Sequence, residues 1–280
     1  MKKQDIYQEL SKYYDNYQIT ELLLKETDFS KNQLFLYEEV EKINNAWLTN
    51  QIELAQSWFP FEYIIKKAEF FWLELYVDER TLIPRNDTEV MVDSVLRLIK
   101  ETKKYNYTLA DIWTWTSCIP ISILNNTNDI SNTYVVDISE KALTVSKINI
   151  DKYNLEKQVS QHLWSLIDPI KDKLTWNIII TANLPYILDR DFDNMSKETV
   201  EYEPDSALYW GPVTWFELYE ELIQQCLDLK KNWNIKSIDL FIEIGFDQKE
   251  YSQNYLDNLI LKNIYHKDNW GIDRCIHIVI

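Results

Sequence analysis

Beyond Asp87 the chain alternates short apolar runs with amphipathic segments, and this alternation restricts the fold more than any other feature. The apolar runs are "YTLADIW", "YVVDIS", "NIIITANLPYIL", "SIDLFIEIG" and "CIHIVI". Helical patterns precede or separate them, in "DTEVMVDSVLRLIKETKK", "EKALTVSKINIDKY" and "FELYEELIQQCLDLKK". Strands spaced by helices cannot pair as hairpins, so they line up side by side with the helices on both faces. The expected fold class is α/β, a doubly wound and mostly parallel sheet. Such sheets bind ligands outside the carboxyl ends of their strands, so chemistry is expected at the residues that end strands.

Residues 1–68 read differently. "ITELLLKETDFSKNQLFLYEEVEKINNAWLTNQIELA" repeats apolar residues at three- and four-residue spacing, as helices do. Asp28 or Ser30 is the candidate cap for the helix that follows. The period then falls to two in "EFFWLELYVDERTLIP", which predicts a β-hairpin with "VDER" as its turn and Pro84 as its end. The expected organisation is a helical domain over 1–68, a hairpin linker over 69–84 and the α/β domain over 85–280. No internal repeat or low-complexity segment interrupts it.

Composition bounds the partners. Acidic residues outnumber basic ones 45 to 29, a net charge of -16. A chain this acidic has no general phosphate-seeking surface, so direct nucleic-acid binding is not expected, although a local basic groove stays open. Cys118, Cys226 and Cys275 are odd in number and form no CxxC pair, which suits a reducing cytoplasm. The start, "MKKQDIYQELSKYY", is too polar for a signal peptide. No apolar run approaches the ~18 residues that span a bilayer, so no membrane association is expected. His162, His266 and His277 are scattered, no metal cluster is visible, and His277 reads as a structural member of the last strand.

Four features fall at strand ends. They are "DIWTWTSC" from Asp111 to Cys118, Asp137 in "VVDIS", Ser165-Leu166 in "LWSLIDPI", and "NLPY" from Asn183 to Tyr186. An acid ending the second strand can accept hydrogen bonds from two ribose hydroxyls, and Asp137 suits that role; it can equally serve as a helix cap. In "NLPY" an amide side chain, a stiff Pro185 and the flat face of Tyr186 can hold a planar amine or amide nitrogen, or can form an ordinary turn.

Glycine is scarce. About 7%, or roughly 20 residues, is usual; there are 3, beside 11 tryptophans. Only glycine takes positive φ without strain, and an α/β chain needs many such turns. The two counts together would make an ordinary glycine content.

At this point the chain resembles the peptide chain release factor N5-glutamine methyltransferases of the HemK type. "LIPRNDTE", "VDISEKAL", "NLPYI", "EPDSAL" and "FIEIGFDQ" occur in that family's order and spacing, behind a helical domain and a hairpin. Leu184 departs from the usual N-P-P-Y. The family's cofactor loop is D-L-G-T-G-S-G; Trp113 and Trp115 fall on its first two glycines and Ser117 on the third. Trp72 and Trp58 fall on further glycines, and Trp210 and Trp215 fall loosely in a glycine-rich segment. The pattern implies a gene in which UGA specifies glycine and has been read as tryptophan, giving a physical loop D-I-G-T-G-T-S. Trp47, in a helical pattern, and Trp176, before a strand, read as core aromatics.

The resemblance implies a Rossmann-like class I methyltransferase using S-adenosyl-L-methionine on the glutamine of the Gly-Gly-Gln loop of bacterial-type release factors, with the N-terminal domain docking that protein. Asp111, Trp113, Thr114, Trp115, Thr116, Ser117 and Asp137 would hold the cofactor, with Leu166 against the adenine. Asn183, Leu184, Pro185 and Tyr186 would form the catalytic loop, Asn183 also bordering the cofactor. Two alternatives stand beside this: an adenine-type nucleic-acid methyltransferase using "NLPY" on a base, and a non-catalytic relative in which Trp113 and Trp115 are genuine.

Overall fold

The computed structural model describes residues 1–102, 106–186, 197–204, 216–232 and 235–280. They form two compact units.

The first unit is helical. It contains α1 (Lys3–Leu10), α2 (Asn16–Thr27), α3 (Lys31–Leu36), α4 (Asn45–Gln56) and α5 (Phe61–Ile65). Asp15 and Ser30 each open a helix with a reciprocal capping box, closed by Gln18 and Gln33. Ser30 is thus the cap of α3, while Asp28 ends α2 in the left-handed conformation. Ile6, Leu10, Ile19, Leu23, Val40 and Ile43 form the core. Trp47 packs against it from α4, as its helical position predicts. At the end of α4 the Trp58 N–H bonds the Ala55 carbonyl and the Phe59 N–H bonds Leu54. This is a Schellman closure, whose left-handed residue is usually glycine; here it is the exposed Trp58, at φ 62°.

The second unit opens with a hairpin of β1 (Ala68–Phe70) and β2 (Leu73–Leu75). Its turn is Phe71-Trp72, not "VDER". Asp78–Thr81 forms a separate turn beyond the hairpin, closed by a Thr81 N–H bond to the Asp78 carbonyl. Two-residue hairpin loops favour turns with positive φ at both positions, because that twist matches the strands. Phe71 and Trp72 have φ of 47° and 65°.

Next come α6 (Glu89–Thr102), β3 (Tyr107–Ile112), α7 (Cys118–Asn126), β4 (Ile130–Asp137), α8 (Glu140–Lys152), β5 (Val159–Leu163) and β6 (Trp176–Ala182). After α9 (Lys197–Tyr202), which belongs to the first unit, follow α10 (Glu217–Asn232), β7 (Ile235–Glu243), α11 (Lys249–Asn258), β8 (Lys262–Lys267) and β9 (Asp273–Val279). The seven-stranded sheet runs β5-β4-β3-β6-β7-β9-β8. All neighbours are parallel except β9, which is antiparallel to β7 and β8.

Every residue of β3 is buried, as a strand covered by helices on both faces must be. Ala110, Ile112, Val136, Ile178 and Ile180 face one apolar cluster, and Leu109, Val135, Ile179 and Phe241 face the other. The strands β5 and β8, absent from the sequence expectation, lie at the two edges. Trp176 is not the core residue its sequence position suggests: it is exposed, with φ 61°. The three cysteines are free and buried. No helix among the described residues is long and apolar enough to cross a membrane.

Candidate active site

The strand order reverses between β3 and β6, and such a switch point leaves a crevice at the carboxyl edge. Asp111 lies opposite Val135 on one side and Thr181 on the other, and Ile112 opposite Val136 and Ala182. The loops that follow β3, β4 and β6 therefore leave the sheet side by side. They carry three of the four strand-end features read from the sequence.

Asp111 anchors the first loop. Its Oδ1 accepts from the Thr181 hydroxyl and its Oδ2 from the Thr114 hydroxyl, both at 2.6 Å. Burial raises its pKa to about 7, against the pull of those two donors. Thr114 Oγ1 also lies 3.0 Å from Ser117 Oγ, which is 2.6 Å from Ser146 Oγ on α8. The Trp113 and Thr114 N–H groups bond the Val136 carbonyl. Asn149 Nδ2 holds the Thr116 carbonyl at 3.1 Å. Asp137 accepts the Trp115 N–H on Oδ2 and the Ser139 N–H on Oδ1, each at 2.9 Å. Burial raises its pKa to about 6.

The loop is built for residues it does not contain. Trp113, Trp115 and Ser117 have φ of 63°, 50° and 61°. A bulky side chain at positive φ is a genuine outlier, because its Cβ crowds the following carbonyl. Yet Trp58, Trp72, Trp113, Trp115 and Trp176, five of the eight described tryptophans, take it. Among the described residues no other residue type does so more than twice. Four of these tryptophans stand at the Schellman, hairpin and cofactor-loop positions where backbone geometry asks for glycine, and Trp176 stands at the start of β6. The buried indoles of Trp113 and Trp115 join the cluster that contains Leu166 and Leu184. The acids, hydroxyls and backbone of this loop fit a nucleoside-bearing cofactor; two buried indoles at positive φ do not. Trp210 and Trp215 lie outside the described residues.

Asn183 to Tyr186 follow β6 as a loop. Leu184 is buried, its N–H bonding the Tyr219 hydroxyl at 3.1 Å. The Tyr219 hydroxyl lies 2.6 Å from the Glu243 carbonyl and 3.3 Å from the Leu184 carbonyl. A carbonyl oxygen carries two lone pairs, so the Leu184 oxygen keeps at least one to offer. Tyr186 donates its hydroxyl to Glu243 Oε1 at 3.2 Å, and its carbonyl accepts Gln248 Nε2 at 3.0 Å. The Gly245 N–H bonds Gln248 Oε1 at 2.5 Å, and a Cβ on Gly245 would stand 2.8 Å from Gln248 Cδ. Glycine at 245 is what lets Gln248 fold back onto the loop.

The structure thus brings Asp111, Thr114, Ser117 and Asp137 into one hydrogen-bonded cradle. Leu166 is buried in the apolar cluster beside it at φ 52°. Asn183 to Tyr186 stand at the neighbouring strand end. Sequence reading gave no role to Thr88, Tyr219, Glu243 or Gln248. Thr88 sits in "LIPRNDTE" and Glu243 and Gln248 in "FIEIGFDQ", segments already singled out. Tyr219 lies in an amphipathic helix and carries no signal beyond that of a core aromatic. Among the described residues no three His, Cys, Asp or Glu side chains group as metal ligands. His277 is buried, stacked on Phe241 and 2.9 Å from Asp239 Oδ1.

No family model matches the chain. Individual relatives do. The chain is 32% identical over 273 residues to the release factor glutamine methyltransferase of Clostridium botulinum, covering 93% of this chain and 91% of the relative. It is 31% identical to that of Mycoplasma mycoides, over 85% and 89% of the two chains. With that of Lactococcus lactis the identity is 33%, over 78% and 77%. Among solved structures, the human METTL16 catalytic domain bound to a MAT2A 3′UTR hairpin superposes with a TM-score of 0.57 at 13% identity, over 98% of this chain and 90% of the other. A METTL16 N-terminal domain in complex with SAH gives 0.51 at 15% identity, over 74% and 76%. At these identities the likeness is one of fold.

Proposed function

This chain belongs to the release factor glutamine methyltransferase family, and we propose that it transfers a methyl group from S-adenosylmethionine to the side-chain nitrogen of the glutamine in a release factor's Gly-Gly-Gln loop. The observation that carries this reading is the pairing of β3 with β6, which puts the 111–117 cradle and the 183–186 loop at one sheet edge. In the active protein positions 113 and 115 are glycine. Asp111 and the backbone of 113–117 then hold the cofactor's amino-acid part, and Asp137 its ribose. Bound there, S-adenosylmethionine supplies an electrophilic methyl group.

An amide nitrogen is a poor nucleophile because its lone pair is delocalised into its carbonyl. Asn183 Oδ1 and the Leu184 carbonyl accept the two N–H groups of the substrate amide. Gripping both favours a pyramidal nitrogen with its lone pair aimed along the transfer axis. Pro185 stiffens the loop, and the Tyr186 ring packs on the amide plane. No base need act before attack. The helical unit docks the release factor, and the protein works in the cytoplasm.

Local charge supports a protein substrate over a nucleic acid. Near the catalytic loop Arg85 pairs with Glu203 at 2.5 Å, and Arg274 with Asp87 at 3.1 Å. Among the described residues each of these two guanidiniums is matched by an acid, which weighs against a basic channel for phosphates here.

The test is methylation of a purified release factor with labelled S-adenosylmethionine, using full-length protein with glycine at 113 and 115. Label on the glutamine side chain, lost in Asn183→Ala, supports the reading. Label on nucleic acid instead would move it to the adenine-type reaction. Full activity with tryptophan at both positions would overturn the glycine assignment.

A further inference from the structure

A line of hydroxyls runs from β5 through α8 to the acid that ends β3. Gln161 Nε2 lies 2.8 Å from the Leu143 carbonyl and 2.8 Å from Ser146 Oγ. Ser146 Oγ lies 2.6 Å from Ser117 Oγ, which lies 3.0 Å from Thr114 Oγ1. Thr114 Oγ1 lies 2.6 Å from Asp111 Oδ2. Asp111, Thr114, Ser117 and Ser146 are all buried. Ser117 opens α7, where a serine side chain ordinarily accepts an N–H from the first turn. It makes no such bond and turns to Thr114 and Ser146 instead. Asn149, three residues along the same face of α8, holds the Thr116 carbonyl, so this helix grips the loop at two successive residues.

The direction of this line is fixed at its far end. A carbonyl only accepts, so the Leu143 oxygen settles which way the Gln161 amide faces, and the same NH2 donates to Ser146. Each hydroxyl has one proton. Ser146 accepts from Gln161 and so gives its proton to Ser117; Ser117 gives its own to Thr114, and Thr114 to Asp111. Run the other way, with a proton on Asp111 Oδ2, the line would end with the Ser146 proton aimed at an NH2 group that cannot accept it. Gln161 therefore selects the ionised carboxylate at the opposite end, and aligned donors strengthen one another on the way.

The selection has something to oppose. Burial raises the Asp111 pKa to about 7, Asp137 on β4 adds to the rise, and the Thr114 and Thr181 hydroxyls pull it down. Cys118 at the start of α7 also faces Asp111, and burial pushes that thiol up to about 12. The ammonium of an amino-acid ligand pairs with a carboxylate and not with a carboxylic acid.

We propose that Gln161 and Ser146 are positioning residues for cofactor binding: through Ser117 and Thr114 they hold Asp111 as the carboxylate that pairs with the ammonium of the cofactor's amino-acid part. This rests on the assignment of Asp111 made under the proposed function.

The experiment titrates S-adenosylmethionine into the active full-length protein, with glycine at 113 and 115, by calorimetry between about pH 6 and about pH 8.5. Its variants are Gln161→Glu, Ser146→Ala, the two together, and Asp111→Asn. Glutamate keeps the shape of glutamine but only accepts, so it turns the line of donors round and favours a proton on Asp111. The cofactor's own titration is common to all the proteins, so they are compared at each pH. A rise of about one unit at Asp111 makes Gln161→Glu bind roughly tenfold more weakly near pH 6, a loss that shrinks below about twofold near pH 8.5. Ser146→Ala cuts the line without reversing it and should show the same trend at roughly threefold. In the double variant the glutamate is disconnected, so its affinity should match that of Ser146→Ala alone, whereas independent effects would multiply. Parent affinity in both single variants overturns the proposal, as does a loss equal at every pH or a double variant in which the losses multiply. Ser146→Ala suits its helix and carries the same pH test should Gln161→Glu not fold. If Asp111→Asn binds as tightly as the parent, the cofactor assignment of Asp111 itself fails; if it loses binding while Gln161→Glu and Ser146→Ala do not, only the positioning role does.

Discussion

The Trp115 N–H points at Asp137 Oδ2 across 2.9 Å from a backbone at φ 50°. A left-handed backbone puts that amide where the second strand's acid can hold it, and the same φ makes a large side chain costly. Each such residue costs about 1–2 kcal/mol relative to glycine. The sheet edge is thus set for a glycine loop whatever side chain is written there.

The first expectation concerns that loop. Trp113→Gly with Trp115→Gly should bind S-adenosylmethionine by titration calorimetry, and the tryptophan-bearing chain should not. A tandem mass spectrum of the native peptide covering Leu109 to Leu124 should show glycine at both positions. Tryptophan at both, together with absent binding, would make this a non-catalytic relative with an intact fold.

Trp72 offers a test remote from any ligand. It is 98% exposed, so its side chain packs on nothing, and it occupies the second position of a hairpin turn that needs positive φ. Trp72→Gly should stabilise the second unit by about 1 kcal/mol, a rise of roughly 2–4 °C in Tm. Trp47→Gly is the contrast. That position lies inside α4 and against a core, so glycine there should destabilise by about 1 kcal/mol for the helix alone, and more for the lost packing. Equal effects of the two substitutions would undo the distinction between strained and packed tryptophans.

Buried acids set the pH dependence. Asp111, Asp137 and Glu243 are raised to about 7, 6 and 6, in each case chiefly by burial. Their folded forms hold protons that the unfolded chain has released, so stability falls as pH rises from about 4 toward 7 and levels off above. Thermal midpoints should therefore be higher at pH 5 than at pH 8. Asp111→Asn should flatten part of that slope. A midpoint that rises through the same window would show that these carboxylates ionise more easily when folded.

The central strands were legible because burial on both faces writes them as unbroken apolar runs; "ADI" and "IIIT" admit little else. The edges were not. In β5, "VSQHL", and β8, "KNIYHK", one side faces solvent, and polar residues dilute the pattern. The hairpin was foreseen but its turn was misplaced, because Phe71-Trp72 carries none of the usual turn residues and "VDER" does. The same disguise hid Trp176. Its sequence context offered an aromatic before a strand, and only the backbone shows a left-handed residue. Within the site, Asp111, Asp137 and Asn183 announced themselves by ending strands. Glu243 did not, because a strand-end acid looks alike whether it meets ligand or, as here, supports a neighbouring loop.

The hairpin also decides where the chain can be divided. The compact units separate between Lys67 and Ala68, and Phe70 and Leu75 are buried in the same cluster as Val92 and Leu109. Asn149 grips both the Tyr76 backbone and the Thr116 carbonyl, so the segment after the hairpin helps set the cofactor loop. A chain beginning at Ala68 should therefore keep its affinity for S-adenosylmethionine and lose most of its kcat/KM toward an intact release factor. A chain beginning at Arg85 removes Phe70, Leu75 and Tyr76, and should lose both cofactor binding and much of its thermal stability. Calorimetry on the two fragments checks this. Equal cofactor affinity in both would mean that the hairpin is a linker and no part of the cofactor domain, while loss of binding in the Ala68 fragment would mean that the helical unit is needed to hold the cradle.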